Sequence, residues 1–204
     1  MAKYHLQTPF SEGDVRQLKV GDIVHLEGTL FGIRDLTQIY MFDQNHEPPV
    51  SLEGMPCIHT APSLRKVGER WEPICVGTTT SGRMDRFSPA LIERYGVRAI
   101  IGKGGLYEKS LEAMKRYGAV YMAIVGGAAS LETQQIEDVE AVYWEHLHPE
   151  ALYQFRVKDF GPLTVAMDSH GNHLYFDVKK EAKRRLPELY KKLGIDGSIT
   201  GLLI

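Results

Sequence analysis

Residues 97–105 read Val97-Arg98-Ala99-Ile100-Ile101-Gly102-Lys103-Gly104-Gly105. An apolar, partly β-branched run breaks into glycines around a single lysine. A helical pattern over residues 106–117 follows and ends at Gly118. This pattern predicts a strand that feeds a helix through a tight turn. Similar units flank it on both sides. Upstream, Pro73-Ile74-Cys75-Val76 reads as a short buried strand. It runs into Gly77-Thr78-Thr79-Thr80-Ser81-Gly82-Arg83-Met84-Asp85 and then a helix over residues 89–95. Ser88 is the expected N-cap, Pro89 the first helical residue and Gly96 the stop. Downstream, a strand over residues 119–125 passes through Gly126-Gly127 to a helix near 128–135. Repeated units of this kind predict parallel strands covered by helices, with binding groups gathered at the carboxyl ends of the strands.

Further out the pattern changes. The first third predicts strands at residues 22–30 and 57–62, with a short helix at 34–42 that ends before Glu47-Pro48-Pro49. The last third predicts strands at 139–144, 153–157 and 163–167, then a hairpin turn at Asp168-Ser169-His170-Gly171-Asn172. A charged helix over 178–193 closes at Gly194, kinked or divided by Pro187. No repeat or low-complexity tract interrupts the chain. The expectation is a mixed α/β fold in one domain, residues 1–204.

Bulk properties narrow the function. A net charge of −2 gives no general attraction to nucleic acid or anionic membranes. There is no apolar run of about 18 residues, so no membrane-spanning helix is expected. Met1-Ala2-Lys3-Tyr4-His5-Leu6 lacks the apolar core of a signal peptide. Cys57 and Cys75 therefore read as reduced thiols in a cytoplasmic protein. Two cysteines are too few for an iron–sulfur cluster held by this chain alone, since such clusters take about four thiolates.

The candidate chemistry lies in the loops. Thr79, Thr80 and Ser81 present hydroxyls beside the bidentate fork of Arg83. The alternative is a polar loop whose hydroxyls satisfy their own backbone. In Gly102-Lys103-Gly104-Gly105, glycines allow close backbone approach and Lys103 adds a point charge, although the spacing is not that of a P-loop. Arg34-Asp35 opens a helix after a strand, as an ion pair or a ligand clamp. Gly126-Gly127 carries no charge and reads as a packing turn. His146, His148, His170 and His173 read as ordinary surface or core histidines, and no metal site is expected. The run from Lys179 to Arg185 reads as a solvated helix face. If Arg34, Arg83 and Lys103 converge, their ligand carries two negative charges, as a dicarboxylate or a phosphate does.

Several of these stretches, in order, resemble a known family. The segment 77–85 resembles the Gly-Pro-Thr-Thr-x-x-Arg-Met-Asp signature of the beta subunit of class I fumarate hydratases and L-tartrate dehydratases. The same element forms the C-terminal domain of single-chain members. Gly28-Thr29-Leu30 with Arg34-Asp35, Ile101-Gly102-Lys103-Gly104-Gly105, Pro149-Glu150-Ala151-Leu152-Tyr153 and Val157-Lys158-Asp159-Phe160 match its other segments. The resemblance runs from about residue 6 to 176. It implies a swivelling β/β/α fold, with a mixed sheet and covering helices. It also implies a hydro-lyase that hydrates fumarate reversibly to L-malate. By resemblance, a partner alpha subunit holds a [4Fe–4S] cluster through three cysteines and leaves one iron open as a Lewis acid. The assembly implied is a hetero-oligomer, such as two alpha and two beta chains. Thr79 is implied as the base, and Arg83 as a substrate contact that lowers the cost of deprotonating it. Arg34 and Lys103 are implied to grip the carboxylates, with Thr80 and Gly104 beside them. The chain departs from the family at Thr78, where proline is usual, and at Gln38, where the Arg-Asp segment usually reaches histidine. Leu147-His148 replaces a Gly-Met pair. Two other readings remain beside the first: the beta subunit of an L-tartrate dehydratase, and a non-catalytic anion-binding or assembly subunit.

Overall fold

A computed structural model describes residues 1–195. In chain order its elements begin with β1 (Lys3–Gln7), α1 (Glu12–Arg16), β2 (Ile23–Ile33) and α2 (Asp35–Phe42). Next come β3 (Pro56–His59), β4 (Ser63–Val67), β5 (Arg70–Cys75), α3 (Ser88–Tyr95) and β6 (Ala99–Gly102). The chain continues through α4 (Glu108–Tyr117), β7 (Val120–Ala123), β8 (Ile136–Tyr143), β9 (Leu152–Met167) and α5 (Leu174–Leu193). Single 3-10 segments lie at Gly82–Met84, Gly127–Gln135 and Glu145–Glu150.

The main sheet runs β1-β2-β3-β6-β7-β9-β8. Each neighbouring pair from β1 through β7 is parallel. The long strand β9 is antiparallel to β7 and β8, and it also pairs with β2. That second pairing closes the sheet into a barrel of β2, β3, β6, β7 and β9. One edge of β2 carries β1 along residues 23–27 and β3 along 31–33, and the other edge is given to β9.

Period-two alternation in the short central strands separates two apolar layers. Ile58, Ala99, Ile101, Val120 and Met122 join Val24, Leu26, Phe155 and Val165. Their neighbours Cys57, Ile100 and Tyr121 pack with Met41, Leu91, Ile92 and Met114 from α2, α3 and α4. Strands buried on both faces read as continuous apolar runs. This explains why 97–101 and 119–125 were legible as strands. Gly96 and Gly118 stop α3 and α4 as expected.

Several expectations are corrected. The strand at 73–76 is not a buried member of the parallel sheet. It is the end of β5, which pairs only with β4 in a two-stranded ribbon, and Ile74 is 57% exposed. Only Val76 turns inward to the core. The strands expected at 153–157 and 163–167 are one strand, β9. The Gly161-Pro162 interruption falls where the pairing with β2 slips register around Leu26 and is absorbed there. Ser88 is not an N-cap, since the helix already includes it, Phe87 precedes it and the Ser88 hydroxyl bonds back to the Met84 carbonyl. The turn at 168–172 closes on a single antiparallel bridge, Met167–His173, and then leads into a helix and not into a second strand. The Asp168 carboxylate accepts from the His170 and Asn172 amides, and His173 caps α5. Pro187 lies within α5 without dividing it. The segment after Gly126 is a 3-10 helix.

Candidate active site

The parallel strands β2, β3 and β6 end side by side, and the chain leaves each end carrying chemistry. Arg34-Asp35 follows β2, Thr60 follows β3 and Lys103 follows β6. The loop from Gly77 to Ser81 lies between the last two. It forms an antiparallel bridge Thr60–Thr78 on one side and a parallel bridge Thr80–Lys103 on the other. The Thr79 amide donates to the His59 carbonyl at 2.9 Å, and the Ser81 amide to the Lys103 carbonyl at 2.9 Å. The Thr60 hydroxyl donates to the Gly77 carbonyl at 2.6 Å. The loop therefore extends the sheet beyond its strand ends, and its backbone groups are held by both neighbours.

The next turn carries Arg83 back over this loop. Its Nη2 donates to Asp35 Oδ2 at 2.9 Å and to Thr79 Oγ1 at 3.3 Å. Arg34 Nε lies 3.6 Å from both Asp35 Oδ2 and Glu150 Oε1. Glu150 is fixed in turn, because its other oxygen accepts the Leu36 amide at 2.8 Å and its carbonyl accepts the Thr37 hydroxyl. A continuous line runs Thr79–Arg83–Asp35–Arg34–Glu150. Burial alone would raise the Asp35 carboxyl, but the hydrogen bond and charge of Arg83, aided by Arg34, hold it below its ordinary value. The hydrogen bond to Asp35 likewise raises Arg83, which stays cationic. Arg34 Nε is buried between these two carboxylates and makes no hydrogen bond within the usual distance among the described residues. Lys103 makes no ion pair among the described residues, and its ammonium points along Gly126.

Signature residues beyond Arg83 are structural. Met84 is fully buried. Asp85 Oδ1 accepts the Tyr107 amide at 2.7 Å and the Ser110 hydroxyl at 2.6 Å, which ties the loop to the start of α4. The six residues expected at the site fall into two neighbouring groups, Thr79, Arg83 and Arg34 joined through side chains, and Thr80, Lys103 and Gly104 joined through the loop backbone. Thr79 reaches Arg83, Arg34 joins through Asp35, Thr80 bridges Lys103, and a side chain at Gly104 would touch the Thr80 methyl at 3.4 Å.

The residues that sequence reasoning missed are those that hold this set. Asp35 and Glu150 stood in recognised segments without a role. His59 and Tyr121 were hidden in apolar strands. His59 Nδ1 lies 2.9 Å from Ser81 Oγ, which lies 3.0 Å from Tyr121 Oη. Burial pushes the His59 imidazole down to about 3, with Asp35 opposing and Arg83 adding to that shift, so it is neutral at physiological pH. Gln38 is fully buried on α2, four residues after Arg34. It lies close to the Arg34 carbonyl, with its own Oε1 unpartnered.

An iron–sulfur cluster does not fit the described residues. No group of three or more His, Cys, Asp or Glu is placed to hold a metal among them. Both cysteines are free, and burial raises the Cys57 thiol, which disfavours the thiolate a cluster needs.

Comparison with known proteins decides the family. The Fumarase C-terminus family model matches residues 1–178. The chain belongs to this family. Within it, the chain is 39% identical over 184 residues to the L(+)-tartrate dehydratase subunit beta of Escherichia coli (strain K12), covering 89% of this chain and 92% of that one. It is 40% identical over 181 residues to a putative L(+)-tartrate dehydratase subunit beta of Methanocaldococcus jannaschii, with coverage of 86% and 93%. It is also 40% identical over 185 residues to a putative fumarate hydratase class I of Geobacillus stearothermophilus, covering 90% of this chain but 35% of that protein.

Proposed function

We propose that this chain is the beta subunit of a class I fumarate hydratase, which with an iron–sulfur alpha subunit converts fumarate and L-malate reversibly. The observation that carries this reading is the hydrogen bond from Arg83 to Thr79, on a rim that also holds Arg34 and Lys103. A hydroxyl is a poor base at neutral pH, and a fixed guanidinium donating to it lowers the cost of its deprotonation. In the dehydration direction, Thr79 Oγ1 takes the proton from the carbon beside the hydroxyl-bearing carbon. Charge then gathers on the adjoining carboxylate, where preorganised cations are most effective, and flows into the new double bond as hydroxide leaves the neighbouring carbon. Arg34 and Lys103 hold the carboxylates, with Thr80 and the open backbone of Gly104 beside them. The cluster, when bound on the alpha subunit, supplies a Lewis acid. This chain supplies the base, the grip and one wall of the site. Residues 1–204 act as one domain, in a cytoplasmic assembly of two alpha and two beta chains.

A second reading, L-tartrate dehydratase, has one observation in its favour. The relatives matched over more than nine-tenths of their own length carry that name. Turnover of L-malate and L-tartrate by the complex purified with its alpha subunit separates the two. Fumarate formed from L-malate supports the first reading, and turnover of tartrate alone replaces it with the second. Thr79→Ala and Arg83→Ala should each lower kcat by a factor of about 100 or more, with assembly retained. Undiminished turnover in both variants would return the chain to a non-catalytic role.

A further inference from the structure

Behind the two loops lies a buried polar chain that none of the proposed catalytic roles uses. It starts at the Gly105 amide, which donates to Tyr121 Oη at 3.3 Å. Tyr121 Oη lies 3.0 Å from Ser81 Oγ, and Ser81 Oγ lies 2.9 Å from His59 Nδ1. Tyr121, Ser81 and His59 are all fully buried, so each bond is made out of reach of water. Donor counting gives the chain a direction. With Tyr121 giving its single proton to Ser81 Oγ and Ser81 giving its own to His59 Nδ1, one buried group is left unpartnered among the described residues, the His59 Nε2 proton. The opposite sense would leave two, the Tyr121 proton and the bare His59 Nε2.

The placement of this chain gives it a purpose. Ser81 follows Thr79 and Thr80 directly, and its amide holds the Lys103 carbonyl. Gly105 closes the other loop, two residues after Lys103. Tyr121 belongs to β7 and His59 to β3, the strands on either side of β6. The space is also closed to alternatives, since a side chain at Gly102 would collide with Ser81 Oγ and stand 3.1 Å from Tyr121 Oη.

We infer that His59, Ser81 and Tyr121 are positioning residues, which lock the Thr79-Thr80 loop to the Lys103 loop at the separation the dicarboxylate requires. The inference rests on the proposed function for its catalytic consequence, but not for its structural one. The chain acts as a fixed strut, since its three side chains are fully buried and joined end to end. Small displacements of a base from its substrate cost rate far more than they cost binding.

Two measurements on Tyr121→Phe and Ser81→Ala test it. Tyr121→Phe keeps the ring and its packing, so it reports even where Ser81→Ala fails to fold. In each variant chain, amide hydrogen exchange at residues 79–83 and 103–105 should be tenfold or more faster than in wild type, with exchange in β3 and β7 unchanged. In the assembled complex, kcat should fall ten- to a hundredfold, with KM within about threefold of wild type. The pH profile should keep its shape, and the double variant should be no slower than the slower single one. Unchanged exchange overturns the inference, as does accelerated exchange with normal kcat. A displaced pH profile also overturns it, by making the chain a proton path. A wild-type complex that turns over neither malate nor tartrate would defeat the proposed function instead, and exchange alone would then decide the inference.

Discussion

His59 shows how one buried group ties the site to stability. Its folded imidazole is held near 3, while the unfolded one titrates near 6.5. Below 6.5 the unfolded chain takes up a proton that the folded chain refuses. Stability is therefore fully present above 6.5 and declines as the pH falls toward 3. The slope from this one group is about 1.4 kcal/mol per pH unit. Urea midpoints of wild type and His59→Gln, measured between about pH 7 and 5, should converge as the pH falls, because only the wild type loses this increment. Parallel curves would mean that the imidazole titrates normally. Asp35 behaves in the opposite sense. Its carboxyl is depressed below 3.8, so its pairing with Arg83 is fully present above that value and is lost only as the pH falls below it. The pair is partly exposed, so its worth lies in aiming Arg83 more than in stability. Asp35→Asn should lower kcat about tenfold, by a ratio constant from about pH 5 to 8, as expected when an orienting acceptor is lost. A ratio that varies across that range would place another titrating group at the pair.

At the scale of elements, the two loops are fitted to each other through glycines. Gly102→Ala puts a methyl group into Ser81 Oγ and close to Tyr121 Oη, neither of which can yield. Gly105→Ala strains a backbone with φ of +76° and presses on the Tyr175 ring, 2.6 Å away, which is only half-buried and can shift. Among the described residues, nothing stands within 4 Å of a side chain at Gly127. Denaturant midpoints should rank these alanine variants accordingly, with Gly102 losing more than about 2 kcal/mol, Gly105 about 1 and Gly127 almost nothing. An equal loss at Gly127 would show that collision is not the cause. The elements differed in how far they could be read. The segments 97–101 and 119–125, with helices stopped by Gly96 and Gly118, were readable because both signals are local. The ribbon of β4 and β5 was not, because its alternation is interrupted by charged residues and its partner is only another exposed strand. The strand β9 read as two, because a Gly-Pro pair looks like a terminus until a partner strand slips register around it.

For the whole molecule, the decisive contact is between β2 and β9. It joins the first third of the chain to the last and leaves no boundary in the barrel at which one half could unfold alone. The isolated chain should therefore melt in one cooperative transition, seen alike by tryptophan fluorescence and circular dichroism. Two separated transitions would divide it into domains. The isolated chain should also be colourless and inactive, with turnover appearing on addition of the alpha subunit. Cluster absorption in this chain alone would contradict the proposed division of labour.

The sequence by itself determined the parallel strand-and-helix core and the run of hydroxyls and cations at strand ends. Both follow from patterns that span a few residues, where apolar period and glycine stops act directly on the backbone. Only the tertiary structure decided that the sheet closes and that Arg83 meets an aspartate 48 positions away. It alone set Glu150 at the start of α2, 114 positions away, and joined Ser81 to Tyr121 across 40. Those contacts depend on which strands lie side by side. Local patterns cannot specify that neighbourhood, because it is settled by the packing of the whole barrel.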